Sequence, residues 1–386
     1  MASRSLAAVA VLCTIAIALS GFSSFLILDR IRVQEEQLSE LRDAIEETES
    51  RIGAVESALS NLSSLEAIAG ILNQTPVNLY EAAYKSVVVI RTPFAQGSGF
   101  LYSSSDLILT NWHVVGEETD VDVEFYDRTR TKASVLGTDA YADVAVLEVT
   151  SVPSDAKPLR LGDSTRLYIG QQVAAIGSPL GLTGSFSSGF ISQINKLLDI
   201  EPIIVPVLQL DITIAPGSSG GPLLDLLGNV VGITNAGTGY GFNFAVPSNV
   251  VERVASSLVE KGNFEHALVG FTSVVLSPET ISSYRILNLE VYQTGLLIWE
   301  VLPDTPAAEA GLRGVVETRA PDGSIGYNAM DIIVAVDGNT VFAREDWAAY
   351  VEEYVSPGQN ITLTLWRSGE TVDVEVSTTP RPPYQG

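Results

Sequence analysis

The hydrophobic pattern changes period several times along the chain. Leu6 to Leu28 contains no charged residue, and as a helix it would cover roughly 34 Å, enough to cross the hydrocarbon core of a bilayer. The pattern predicts an uncleaved membrane anchor over residues 6–28. A cleaved signal peptide is the alternative, with Leu6 to Leu19 as its apolar region and Ala18 and Ser20 at the small-residue positions, but the apolar run continues well past that site. Arg4 precedes the segment while Arg30, Arg32 and Arg42 follow it, so the positive charges do not by themselves place the body outside the cytoplasm.

From residue 31 the period becomes seven. Ile31, Leu38, Ile45, Ile52 and Leu59 occupy a positions, and Leu41, Val55 and Leu62 occupy d positions, interrupted by Gln34 and Thr48. Glu, Arg, Asp and Ser stand between them, as a solvated helix flank requires. A parallel coiled-coil stalk over residues 31–71, expected to be trimeric, accounts for this seam; a single amphipathic helix lying on the body is the alternative. Gly70 and the stretch Asn73–Pro76 end it.

Over residues 77–261 the texture turns to short β-branched runs separated by Gly, Pro, Asp and Ser. Val87–Ile90, Leu107–Leu109, Val121–Phe125, Val144–Leu147 and Val230–Ile233 read as strands, and many short strands at this spacing predict a sandwich or barrel. A long amphipathic helix pattern first returns at Ser248–Glu260. Residues 268–378 are expected to form a second globular unit.

Composition restricts the chemistry. With 46 acidic against 22 basic residues, the formal charge of -24 repels nucleic acid. One cysteine, Cys13, allows no intramolecular disulfide. Two histidines and one cysteine cannot furnish a Cys/His zinc site, so no metal is expected. Gly237–Gly241 is glycine-rich, but no helix pattern follows it, and a dinucleotide loop is rejected. No cofactor is called for.

Three segments carry candidate chemistry. His113 closes the strand-like run Leu109-Thr-Asn-Trp-His, Asp143 opens the apolar strand Asp143–Leu147, and Ser219 sits within Gly217-Ser-Ser-Gly-Gly-Pro222. A carboxylate at the head of a buried strand is costly unless it accepts a hydrogen bond, for instance from an imidazole. Glycines around a serine permit a tight turn that exposes the hydroxyl and aims successive amides at one point. Ser219 would attack a carbonyl, His113 would take and return its proton, and Asp143 would fix the imidazole's tautomer. The amides of Gly217 and Ser219 would bind the oxyanion. Taken singly, each segment reads as a core histidine, a turn aspartate or a flexible loop. The order His, Asp, Ser in a β-rich region matches the chymotrypsin order. His266 lies in a linker-like stretch, Asp139 precedes an apparent turn, and Ser218 stands one residue early.

Thr110–Val115, Asp143–Leu147, Ile176–Gly181, Gln209–Ile214, Gly217–Pro222 and Gly241–Ser248 resemble the HtrA/Deg family of serine proteases across the whole middle region. The resemblance implies a mainly β, chymotrypsin-like double β-barrel with the active site between the barrels. It also places Thr213, Ile214, Ala215, Thr234, Asn235 and Ala236 around the primary specificity pocket. No acidic residue occurs there, so cleavage after small aliphatic side chains is expected. The segment Asn195–Pro206, where the family has a regulatory loop, is unusually apolar, and the loop between Ile90 and Gly97 is short.

Gly295–Val301, Asp304–Leu312 and Asp331–Gly338 resemble the PDZ domain that follows the protease in this family. Such a domain adds a peptide's C-terminal strand to an exposed sheet edge and captures its carboxylate on backbone amides. Leu268, Val269, Gly270 and Phe271 would form the carboxylate loop, with Trp347 and Val351 on the opposite wall. A domain that only packs on the protease is the alternative. An inserted stretch, Arg313–Ala329, and Met330 in place of a glycine depart from the family pattern. The resemblance implies an ATP-independent endopeptidase for misfolded proteins, homotrimeric, with its body outside the cytoplasm. The rival is a chaperone or scaffold that binds unfolded clients with little proteolysis.

Overall fold

The computed structural model describes residues 30, 32, 38, 41, 42, 45, 46, 48, 49, 51–53 and 75–385, except 104–105, 179–183, 199, 236–242 and 321–322. The chain divides into two units, Met1–Gln74 and Thr75–Gly386. In the first, the described residues are helical, and Leu38, Leu41, Ile45 and Ile52 are each more than half exposed. These are a and d positions of the expected seam. The expected anchor, residues 6–28, lies outside the described residues, among which no helix is long and apolar enough to cross a membrane.

The second unit opens with helix α1 (residues 75–83). Six strands follow: β1 (Val87–Arg91), β2 (Gln96–Tyr102), β3 (Leu107–Thr110), β4 (Asp120–Glu124), β5 (Arg130–Asp139) and β6 (Val144–Val149). They close into a barrel in the order β1-β2-β3-β6-β5-β4. A second barrel, β10-β11-β12-β9-β8-β7, is built from β7 (Gln172–Gly177), β8 (Ser185–Lys196), β9 (Val207–Leu210), β10 (Pro222–Leu224), β11 (Val230–Asn235) and β12 (Asn243–Pro247).

Period two explains why the strands read as unbroken apolar runs. In β6, Ala145 and Leu147 fill the first barrel's interior. Val144 and Val146 point the other way, into a shared core with Ala174 and Ile176 of β7 and Ile233 of β11. Both faces are buried, so both must be apolar. Helix α3 (Ser248–Lys261) covers this shared core with Val250, Val251, Val254, Ala255 and Leu258. It stops at Gly262, whose φ of 77° lets its amide bond the carbonyl of Leu258.

Beyond the barrels, β13 (Ala267–Leu268) leads into a sheet of β14 (Phe271–Val275), β15 (Leu296–Val301), β18 (Asp331–Val336), β20 (Asn360–Arg367) and β21 (Glu370–Ser377). Helices α4 (Pro278–Ser283) and α5 (Pro306–Glu309) lie in its loops, and α6 (Arg344–Tyr354) carries Val351 into the core beneath β14. The stretch expected as an insertion forms a separate hairpin, β16 (Val316–Arg319) and β17 (Ile325–Asn328). Short β19 (Asn339–Thr340) pairs with β18, and β22 (Thr379–Pro380) returns to β13. Strand β14 stands at the sheet's edge.

Candidate active site

Strand pairing alone brings residues 113 and 143 together. Thr110 at the end of β3 faces Ala145 of β6. His113 lies in the single turn α2 (Trp112–Val115) just after β3, and Asp143 immediately precedes β6. Asp143 has φ 54°, in the left-handed region that non-glycine residues rarely occupy. The Asn111 side-chain amide donates to its carbonyl at 2.9 Å.

The Asp143 carboxylate is 1 % exposed, and a buried charge must be satisfied. The backbone amide of His113 donates to Oδ1 at 3.0 Å. The imidazole Nδ1 lies 3.0 Å from Oδ1 and 2.9 Å from Oδ2. Across the barrel junction, Nδ2 of Asn235 donates to Oδ2 at 2.8 Å. With Nδ1 donating, Nε2 is left as the ring's proton acceptor. Burial pushes the His113 pKa down, but the hydrogen bond and charge of Asp143 outweigh it and raise the pKa above 6.5.

Ser219 is positioned by a turn tied to both barrels. Within the turn, the Ser218 amide bonds the Ala215 carbonyl at 3.0 Å and the Gly221 amide bonds the Ser218 carbonyl at 3.1 Å. The Gly220 amide donates to the Thr234 carbonyl and the Thr234 amide to the Gly221 carbonyl, both at 2.9 Å, and the Thr234 hydroxyl donates to the Ser218 carbonyl at 2.9 Å. From the first barrel, the Ser98 amide donates to the Ser219 carbonyl at 2.7 Å and the Ser98 hydroxyl to the Gly217 carbonyl at 2.7 Å. The turn approaches so closely that a Cβ on Gly220, at φ 88°, would lie 2.3 Å from the Thr110 hydroxyl. Gly220 must therefore be glycine. Ser219 is thus held on β2, the first strand of the hairpin that leads into His113.

The residues expected around the specificity pocket separate. Thr213 and Ala215 are exposed on the turn's approach. Ile214 between them is packed with the apolar side chains of the second barrel. Thr234 is 1 % exposed, with its hydroxyl committed to the turn. Asn235 holds Asp143, and Ala236 lies outside the described residues. Beside His113 and Asp143 opens a cavity of about 340 Å³, walled by Trp112, Leu198, Ile200, Pro202 and Phe244. The apolar stretch Asn195–Pro206 therefore forms part of the cleft.

Leu268, Val269, Gly270, Phe271, Trp347 and Val351 line one groove of about 200 Å³. Gly270 has φ 94°, and a Cβ there would meet the Thr305 side chain at 2.3 Å. The rings of Phe271 and Trp347 lie 5.2 Å apart, tilted by 56°. No cluster of residues that could hold a metal ion occurs among the described residues.

Sequence reasoning missed Ser98, Asn111 and the role of Asn235. Ser98 stands in Gly97-Ser-Gly99, where flanking glycines signal close backbone approach. It also read His266 as a linker residue. The structure buries that ring to 3 % exposure between Asp139 and Glu352, because the segment after α3 is sandwiched between the first barrel and α6.

Comparison with known proteins places this geometry among relatives. Residues 97–233 match the trypsin-like peptidase domain and residues 269–378 the PDZ domain. The chain is similar to a probable periplasmic serine endoprotease DegP-like of Halomonas elongata, 37 % identical over 286 residues, covering 73 % of this chain and 56 % of that protein. Its counterpart in Brucella suis is 32 % identical over 299 residues, covering 76 % and 54 %. The chain thus spans about half the length of these curated relatives. Among solved structures, the HtrA-type protease AlgW with a tripeptide matches with a TM-score of 0.64 at 27 % identity, covering 80 % of this chain and 98 % of that one. The serine endoprotease from Yersinia pestis matches with a TM-score of 0.56 at 25 % identity, covering 80 % and 98 %.

Proposed function

Since this chain belongs to the HtrA/Deg family of serine proteases, we propose that it is an ATP-independent serine endopeptidase acting on exposed segments of misfolded proteins outside the cytoplasm. The observation that carries the reading is the buried Asp143 carboxylate gripping Nδ1 of His113, with the Ser219 turn fastened to the hairpin that leads into that histidine. Ser219 attacks the scissile carbonyl as Nε2 of His113 takes its proton, and the imidazolium then protonates the leaving amine. Asp143 keeps the proton on Nδ1 and stabilises the cationic ring. The amides of Gly217 and Ser219, in the glycine-flanked turn, bind the oxyanion. Losing one such donor costs about 3 kcal/mol of transition-state stabilisation.

The PDZ domain recruits peptide C-termini through β14 and the groove from Leu268 to Phe271, opposite Trp347 and Val351. An N-terminal anchor over residues 6–28 tethers the body to the membrane. The exposed heptad positions Leu38, Leu41, Ile45 and Ile52 join three copies through a stalk. Cleavage follows small aliphatic residues, in keeping with the absence of an acidic side chain at residues 213–215 and 234–236.

Labelling the full chain with a fluorophosphonate and mapping the adduct tests the assignment. Modification at Ser219, with casein turnover lost in Ser219→Ala, supports it. Equal turnover by both forms dismisses it and leaves the client-binding reading.

A further inference from the structure

His266 is one of two histidines in the chain and has no part in the proposed chemistry. Its Nε2 lies 3.0 and 3.1 Å from the two carboxylate oxygens of Asp139, the last residue of β5. Its Nδ1 lies 2.5 Å from Oε2 of Glu352 in α6. Asp139 and Glu352 are both 6 % exposed. Ionised carboxylates only accept hydrogen bonds, so both ring nitrogens must donate. Neutral imidazole has one N–H, whereas imidazolium has two. With both carboxylates ionised, the two contacts require the charged ring.

Every element around the ring contributes a group. From the first barrel, Tyr141 stands edge-on at 5.4 Å, and Phe264 of the connecting segment does so at 4.8 Å. From α3, Arg253 lies over Phe264 and donates to the Glu352 and Val355 carbonyls, while Asn249 holds Glu353 at 3.2 Å. From the segment after β22, the Arg381 amide donates to the His266 carbonyl at 2.8 Å, and its guanidinium lies 5.6 Å over Tyr141. Asp139 and Glu352 alone among these hydrogen-bond to the ring nitrogens.

We propose that His266 is a proton-gated latch between the protease and its peptide-binding domain: the imidazolium ties β5 to α6, and loss of its proton releases α6 from the first barrel. Both ends of the tie sit beside working parts. Asp139 lies four residues before Asp143, and Glu352 follows Val351, a wall of the peptide groove. A deprotonated ring turns a lone pair towards one carboxylate, so attraction becomes repulsion on that side. Burial pushes the pKa down, yet the hydrogen bonds and charges of Asp139 and Glu352 raise it to about 9. The latch is closed at neutral pH and opens in alkali.

The test uses the full chain carrying Cys13→Ser, with dyes on Lys132→Cys and Glu370→Cys, both exposed. Energy transfer is recorded from pH 6 to 10.5 beside ring-nitrogen NMR, where two histidines make assignment direct. The readout does not depend on whether Ser219 is reactive. The expected result is a change in transfer that follows the His266 ring signal with a midpoint near 9. It should be absent in His266→Arg, which keeps its charge and donors, and already complete at pH 7 in His266→Ala. Constant transfer through the His266 titration overturns the proposal, as does an unchanged transition in His266→Arg. Should His266→Ala fail to fold, the arginine comparison decides.

Discussion

The side-chain amide of Asn235 donates to Oδ2 of Asp143 at 2.8 Å, from the second barrel to the first. The carboxylate that orients His113 is therefore held from both barrels, and the two half-sites are mutually aligned. Replacing Asn235 with Leu leaves a buried carboxylate oxygen short of a donor, at a cost of about 1–3 kcal/mol. Turnover of a peptide substrate should fall roughly 10- to 100-fold with little change in KM, and Asn235→Ser should recover part of it. Wild-type turnover in Asn235→Leu would remove Asn235 from any positioning role.

The pH dependence of kcat/KM follows from His113. Its pKa is raised above 6.5, the Asp143 interactions exceeding the effect of burial, and the ring must be neutral to accept the proton of Ser219. Activity should climb with pH along a limb whose midpoint lies above 6.5. A midpoint below 6.5 contradicts this. Asp143→Asn, which presents the wrong tautomer, should lower kcat by about 10⁴.

The other histidine governs stability. Its folded pKa of about 9 lies above the ordinary 6.5, so its contribution is complete below about pH 6.5 and is lost as pH rises through 9. The loss is on the order of 3 kcal/mol. Urea unfolding at pH 7, 8.5 and 10 should show this decline in the wild type, and His266→Arg should show a shallower one. Parallel declines in the two proteins would refute the assignment.

Gly270 should tolerate no side chain. Its φ of 94° and the 2.3 Å approach to Thr305 make Gly270→Ala destabilising by about 1–3 kcal/mol. Peptide affinity measured by fluorescence anisotropy should fall, while cleavage of a short fluorogenic peptide by the barrels should persist. Undiminished affinity would place the peptide elsewhere.

Much of this architecture was legible because its causes are local. The barrel strands announced themselves through β-branched runs. The candidate triad was legible through flanking residues: Asp143 before an apolar strand, Ser219 among glycines. What escaped depends on distant partners. The acids that make His266 a buried cation lie 127 residues before it and 86 after it, so nothing in its own neighbourhood betrays the environment. That Asn235 donates to Asp143 also escaped, because strand proximity does not say where an amide points.

The strap at residues 379–384 has a consequence for biosynthesis. Tyr384 sets its ring against Trp112, the neighbour of His113, at 5.9 Å, and the Tyr141 hydroxyl reaches the Pro382 carbonyl at 2.8 Å. Roughly 270 residues separate Trp112 from Tyr384. At ribosomal speeds of about 5–20 residues per second, the indole waits roughly 15–50 s for its final neighbour. During that interval the nascent first barrel carries a bare aromatic surface next to its histidine, covered only when translation delivers the strap.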